Sequence, residues 1–313
     1  MTKNILHITN GGNLTNYLIE LDYKGEYLTW HEMLCEGPTK VKIDSDAFLK
    51  VRKDFLKEFY QIEIDEQKYK TELQKLDNIS NYSEIVLWFE YDLFCHINML
   101  AIISLLREKQ IKKPISLVCS GRIPGEENLK ALTELTAFQI DEHFKERIYL
   151  SKEDKEFASN IWEVYCGSDH NLLKPFITEQ STFEYLSICL KAHLKRFPDS
   201  VNGLSELEHN IIKILDKYEV KSRHHLLGYA LNYQGYYGFS DIQLMRVIDK
   251  LSLFFIQEED SIKLNRKGYE VLLNQRNYAS EINDNMQFGE VNRLDYLFNK
   301  KENKLIKTIL HAN

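Results

Sequence analysis

The sequence predicts an α/β fold with three parts: a mostly parallel-sheet, Rossmann-like layered domain over residues 1–150, a helical linker over 151–200, and a winged-helix-like domain over 201–313. Three observations carry this. The apolar runs EIVLWF and ISLVC lack the alternation of a half-exposed strand, which suits strands covered on both faces of a parallel sheet. Helical patterns alternate with these runs, and that alternation implies crossover units. The tail has another order, helices first and then a short hairpin pattern with an acidic turn.

NILHIT (4–9) reads as the first strand, ended by Asn10-Gly11-Gly12, and Leu14, Leu18 and Leu21 follow at helical spacing. Lys24-Gly25 breaks that helix. EYLTW (26–30) is the second strand, followed by the irregular HEMLCEGPT. From Ser45 on, Phe48, Val51, Phe55 and Phe59, then Tyr69, Leu73 and Leu76, describe one or two amphipathic helices. EIVLWF (84–89) is the next strand, a helix runs from Leu93 to Lys109, and ISLVCSG (115–121) is a further strand. No strand pattern occurs over 151–198, where Ser151 with Asp154 forms a capping box and TFEYLSICLKAHLKRF stops at Pro198. In the tail, a helix over 205–216 capped by Ser205 with Glu208, another over 222–232 and DIQLMRVIDKL precede LFFIQEEDSIKLNRKGYEVLL. Its hairpin tip carries Glu258, Glu259 and Asp260.

A chain of 313 residues with 43% hydrophobic and 28% charged side chains, and only 13 Gly and 5 Pro, leaves no room for a long disordered tract. No run approaches the roughly 18 apolar residues of a membrane span, and the apolar stretch in MTKNILHITNGG is too short for a signal peptide. The expectation is a cytoplasmic protein with no membrane contact. Five cysteines without a CxxC pair agree with a reducing compartment, and Cys95, Cys119 and Cys189 sit in apolar patterns as small hydrophobes. The net charge of -7 argues against a nucleic-acid coat. Acidic and basic residues balance from residue 201 onward, so the excess acid lies in the first 200 residues.

In an open parallel sheet the carboxyl ends of the strands share one edge, and ligands bind in the crevice there. Asn10, Glu32, Glu36, Glu90 and Asp92 all follow strands and are expected to converge on it. Glu90, Asp92 and Glu36 are the candidate catalytic residues, since carboxylates suit acid/base work or cation binding. The candidate ligand-binding residues begin with Asn10, Gly11 and Gly12, whose backbone N–H groups at a helix start would seat a phosphate or carboxylate. His7, Arg52 and Arg122 complete that set, the arginines relieving repulsion among the acids. Each has a structural alternative: a tight turn at Gly11-Gly12, a core histidine at His7, a helix cap at Glu32, Glu36 or Asp92. His96 stands one turn into the helix after Asp92, and spacing leaves its facing open. The first turn is neither GxGxxG nor a Walker loop, and no nucleophile elbow, HExxH or cysteine metal cluster occurs, so the sequence names no metal ligands and leaves the cofactor unknown.

A DNA-reading tail would carry Arg and Lys on its recognition helix, yet DIQLMRVIDKL sets Arg246 and Lys250 against Asp241 and Asp249. A protein-contact or dimerisation module is the expectation, with Tyr236, Tyr237 and Phe239 as packing residues.

HITNGG, WHEMLCEGP, VRKDFL and VLWFEYDLFCHINML, in this order, resemble blocks of the bacterial family catalogued as domain of unknown function 1835 (DUF1835). LKAHLKRFPDSVNGLSELEHNII resembles its junction to a C-terminal region, and FSDIQLMRVIDKL with IKLNRKGYEVLLNQ its closing part, so the resemblance covers nearly the whole chain. It implies an intracellular bacterial protein with an N-terminal α/β domain and a C-terminal helical region, and no particular activity. His7, Asn10, Glu36, Gly37, Pro38, Arg52, Trp88, Glu90 and Asp92 fall on motif positions. Gly12 and Glu32 stand where the family has Asp and His96 where it has Gln; the change at Gly12 argues against an obligatory metal at that turn. The sequence thus predicts a small polar, phosphorylated or nucleotide-like ligand at the strand-end crevice, and a C-terminal module for a protein partner or a second copy. A hydrolase or transferase acting on a nucleotide-like substrate is the alternative reading, and a DNA-binding regulator the third.

Overall fold

The computed structural model describes residues 4–308. The chain divides into two compact units, Met1–Cys166 with Glu179–Leu186, and Gly167–Thr178 with Ser187–Asn313. Among the described residues there are thirteen α-helices and one five-stranded, mostly parallel sheet, and no helix is long and apolar enough to cross a membrane.

The first unit runs β1 (Ile5–Asn10), α1 (Gly12–Glu20), β2 (Glu26–Trp30), α2 (Asp46–Tyr60), α3 (Glu66–Gln74), β3 (Glu84–Phe89), α4 (Leu93–Glu108), β4 (Ile115–Cys119), α5 (Ala137–Lys145), β5 (Ile148–Tyr149) and α6 (Lys152–Cys166). The strand order is β2-β1-β3-β4-β5; the first four are parallel and β5 runs antiparallel to β4. β3 is apolar throughout after Glu84 because it lies inside the sheet, buried from Ile85 to Phe89. The long helical stretch after Ser45 is two helices: Gln61 takes a left-handed conformation that ends α2, and Asp65 caps α3 through the Lys68 N–H. From β1 the chain steps outward to β2 and then crosses back past β1 to β3. The connections therefore leave β1 and β3 in opposite directions, and their carboxyl ends flank the point where ligands enter such sheets.

The second unit contains α7 (Lys174–Thr178), α8 (Leu186–Leu194), α9 (Glu206–Lys217), α10 (Arg223–Tyr233), α11 (Asp241–Lys250), β6 (Phe255–Gln257), β7 (Ile262–Leu264), α12 (Arg266–Leu272) and α13 (Ala279–Ile282). Two hairpins follow, β8 (Gln287–Phe288) with β9 (Val291–Asn292), and β10 (Tyr296–Asn299) with β11 (Lys304–Lys307). Ser205 and Glu208 form the expected reciprocal cap of α9. Buried charge is paired here: Arg246 and Arg293 both meet Asp284. Burial alone would raise the Asp284 carboxyl, but the two guanidiniums hold it down at about 2.

β2 is an edge strand, and α3 supplies what a neighbouring strand would. The Thr29 N–H donates to Glu72 Oε2 at 3.0 Å, and Lys75 Nζ donates to the Tyr27 carbonyl at 2.7 Å. Side chains thus cover edge groups that would otherwise recruit another chain. Replacing Glu72 and Lys75 together by alanine is expected to leave the far-ultraviolet circular dichroism unchanged and to produce concentration-dependent association in light scattering. A double variant as well dispersed as the parent contradicts this role.

Candidate functional site

β1 ends at Asn10. Gly11, at φ +94°, adopts a backbone that side chains disfavour and turns the chain into α1, whose start has no side-chain cap and no acid in its first turn. β3 ends at Phe89, and Glu90-Tyr91-Asp92 lead into α4. Asp92 is extended, and its Oδ1 accepts the Cys95 N–H at 2.7 Å, so it caps that helix. Asn10 Nδ2 lies 3.0 Å from Cys95 Sγ, which brings the exits of β1 and β3 side by side. Glu90 Oε1 accepts the Leu132 N–H at 2.8 Å, and ligand atoms of Glu90, Asp92 and Cys95 lie within 4.8 Å of one another.

Among the described residues neither carboxylate has a Lys or Arg partner. Burial, with Asp92 adding to it, pushes the Glu90 carboxyl up to about 7. Burial likewise raises Asp92 to about 6, against the hydrogen bonds it accepts at the start of α4. Burial and the two acids push the Cys95 thiol well above its ordinary range. The acid pair therefore retains a proton close to neutral pH and offers a ligand both a donor and an acceptor.

Three of the sequence candidates have framework roles instead. Arg52, fully buried, donates from Nε to Glu32 Oε2 at 3.0 Å, from Nη1 to the carbonyls of Glu36 at 2.6 Å and Pro38 at 3.1 Å, and from Nη2 to the carbonyl of Met33 at 3.0 Å. Its fork of donors closes the loop after β2 rather than relieving the acids at the crevice. Glu36, buried, accepts the Tyr60 hydroxyl. Next to it Gly37 has φ +84°, and a Cβ there would lie 2.4 Å from the Phe55 ring, so the LCEGP and VRKDFL blocks interlock. His7 is buried with both ring nitrogens engaged: Nε2 faces the Lys24 carbonyl at 3.3 Å and must donate, while Nδ1 accepts the Trp88 indole N–H at 3.0 Å. Burial lowers it to about 4, and it stacks on Tyr27 as a neutral core ring. Arg122 is exposed after β4, its backbone N–H bound to the Tyr185 hydroxyl. Asn10, Gly11, Gly12, Glu90 and Asp92 thus lie at one exit, although the Gly11 N–H is taken by the Trp30 carbonyl at 2.9 Å and is not free for a ligand, whereas His7, Glu36 and Arg52 serve elsewhere.

Two residues of α4 were not among the candidates. Asn98, fully buried, donates to Asn10 Oδ1 at 2.9 Å and to the Glu32 carbonyl at 2.6 Å, and accepts the Leu34 N–H at 3.1 Å. Its signal was a lone amide inside LFCHINMLAII, because a buried amide requires partners. Cys95, read as a core hydrophobe, touches both Asn10 and the acid pair. His96, whose facing spacing left open, points inward: Nδ1 donates to the Asp92 carbonyl at 2.9 Å, Nε2 is buried without a partner among the described residues, and burial lowers the ring to about 4.

Compared with models of protein families and with curated proteins, the chain matches none.

Two outcomes follow from this geometry. Arg52→Ala strands a buried Glu32 carboxylate, so urea titration is expected to show a loss of about 3–5 kcal/mol, and a loss below about 1 kcal/mol contradicts the clamp. A Glu90 value near 7 lies above its ordinary 4.5, so ionising it costs the folded state more than the unfolded one. The cost is absent below about pH 4.5, grows up to about pH 7 and stays constant above. Glu90→Gln is therefore expected to stabilise the protein by about 1–3 kcal/mol at pH 8 and hardly at all at pH 4. An effect independent of pH argues against the raised value.

Proposed function

We propose that this protein binds a small polar or phosphorylated ligand at the β1/β3 exit. The anionic group rests on the first amides of α1, and hydroxyl or amino groups of the ligand meet Glu90 and Asp92. One observation carries the reading: at the point where the sheet connections diverge, a helix start without a side-chain cap stands beside an acid pair that has no cationic partner among the described residues. Those two features recognise opposite ends of a molecule such as a sugar phosphate or a nucleotide. The first unit is then Rossmann-like in use as well as in strand alternation, and the protein works in the cytoplasm. Kinship with the DUF1835 family, carried by the HITNGG, LCEGP and WFEYDL blocks, is part of the same reading and leaves the ligand open.

A specific observation favours an enzymatic version. Glu90, pushed up to about 7, is matched to proton transfer at neutral pH, as the general base or acid of a hydrolase or transferase on a nucleotide-like substrate. Asp92 is less free for that role because Oδ1 caps α4.

For the second unit, we read α9, α10, α11 and the β6–β7 hairpin as a winged-helix-like module that contacts a protein or a second copy of the chain. Arg246 on α11 pairs in a fork with Asp284 at 2.8 and 3.2 Å, and Arg223 pairs with Asp249, so these cations are already engaged. The hairpin tip is acidic. DNA binding remains the third reading for these reasons.

Calorimetry and thermal-shift titration with nucleoside monophosphates, nucleoside diphosphates and sugar phosphates test the proposal. Saturable binding is expected, weakened at least about tenfold by Gly12→Asp, which sets a like charge at the start of α1, and less for the unphosphorylated analogues. A panel that binds nowhere, or binds equally well to Gly12→Asp, overturns it. Turnover abolished by Glu90→Gln supports the enzymatic version.

A further inference from the structure

Along the strand order β2-β1-β3, three features stand at the carboxyl ends in the same succession: a cavity beside β2, the uncapped start of α1 after β1, and the acid pair after β3. The cavity measures about 250 Å³ and its lining is mostly apolar, with Leu56, Ile62, Ile64, Tyr69 and Leu73 in its wall. Its level follows from α3, which runs against β2. Lys75 reaches the Tyr27 carbonyl and Glu72 the Thr29 N–H, so Lys68, one turn earlier, stands level with His31 beyond the end of the strand. Lys68 and His31 both line the cavity. His31 also borders the start of α1, because a Cβ on Gly12 would lie 3.6 Å from its Cε1. Its exposed imidazole is thus a wall common to the cavity and the helix start.

Charge decides which part of a ligand suits which feature. The four acids of the cavity wall are held by other groups: Glu32 by Arg52, Glu63 by Lys57, Glu72 by Lys75 and the Thr29 N–H, and Asp65 by the Lys68 N–H. They nevertheless keep an anion out of the space itself. The side chains of Lys68 and His31 have no hydrogen bond or ion pair among the described residues, which leaves donors beside the apolar wall. Ile62 in that wall is 39% exposed, apolar surface that an occupant would cover. An apolar cavity of about 150 Å³ accommodates benzene, so this larger one admits a bicyclic ring. A neutral planar group therefore suits the cavity, an anion suits the amides of α1 from Gly12 onward, and hydroxyl groups suit Glu90 and Asp92. A molecule spanning all three has its phosphate in the middle with an organic group on each side.

We infer, resting on the β1/β3 reading, that the ligand is a purine nucleoside diphosphate ester of a sugar or similar polyol. The base enters the cavity beside β2, the diphosphate rests on the α1 start, and the hydroxyls of the esterified group meet Glu90 and Asp92. His31 and Lys68 donate to the base edge and the ribose where the ligand passes from the cavity to the helix.

Calorimetry on the full chain with ADP-glucose, ADP and glucose 1-phosphate tests the order of parts. ADP-glucose is expected to bind at least about tenfold more tightly than either fragment, because only the whole molecule fills all three places. Leu73→Phe, which fills the cavity, should bring ADP-glucose down to the affinity of glucose 1-phosphate and leave glucose 1-phosphate unchanged. Ile62→Glu, in the exposed loop between α2 and α3, should do the same even if Leu73→Phe fails to fold. If glucose 1-phosphate binds and is weakened by Gly12→Asp, while ADP-glucose gains nothing over it or is indifferent to both cavity variants, the placement of the base is overturned and the β1/β3 reading stands. Binding by none of the three overturns both.

Discussion

Asn98 is fully buried on α4, and its amide joins Asn10 at the end of β1, the Glu32 carbonyl and the Leu34 N–H after β2. A buried amide that loses a partner costs about 1–3 kcal/mol, so these bonds favour one arrangement of the two exits and resist intermediate ones. The Arg52 clamp extends the same constraint from Met33 to Pro38. Together they set the mouth of the sheet from neutral amides, carbonyls and one inward-turned guanidinium. Packing holds the rest of this unit together, with β3 from Ile85 to Phe89 and twelve of the 16 residues of α4 buried.

That way of building the mouth decides its electrostatics. Arg52, expected to neutralise Glu90 and Asp92, is taken by the loop after β2, and α4 contributes a thiol and a neutral imidazole beside them. Two acids held in such surroundings keep a proton at a pH where exposed acids have lost theirs. Across the contact of Asn10 with Cys95, α1 begins without a side-chain cap. The ligand chemistry proposed for the exit is the complement of these two facts.

Much of this was legible in the sequence, for identifiable reasons. β1, β3 and β4 announced themselves because strands inside a parallel sheet are covered on both faces and read as apolar runs, whereas β2, at the edge, is only partly buried. Ser151, Ser205 and Asp92 cap helices as their spacing predicts. Strand ends share an edge in this topology, so the meeting of Asn10, Glu90 and Asp92 could be anticipated from order alone. β5 could not, since Ile148 and Tyr149 are exposed and too few to form a pattern. The direction of Arg52 was hidden as well: the carbonyls that capture it belong to an irregular loop whose shape depends on Gly37 in a left-handed conformation against Phe55. His7 looked like a ligand residue because its neutral state is set by Trp88 and Lys24, distant in the chain and brought together only by folding.

The most direct test of the acid pair is a carboxyl ¹³C titration by nuclear magnetic resonance of Glu90 and Asp92 in the unliganded protein. The account predicts midpoints displaced upward, near 7 for Glu90 and near 6 for Asp92, with each curve responding to the other. Both acids titrating at ordinary carboxylate values near 4 would show that they are solvated or neutralised, and would contradict the account of this site.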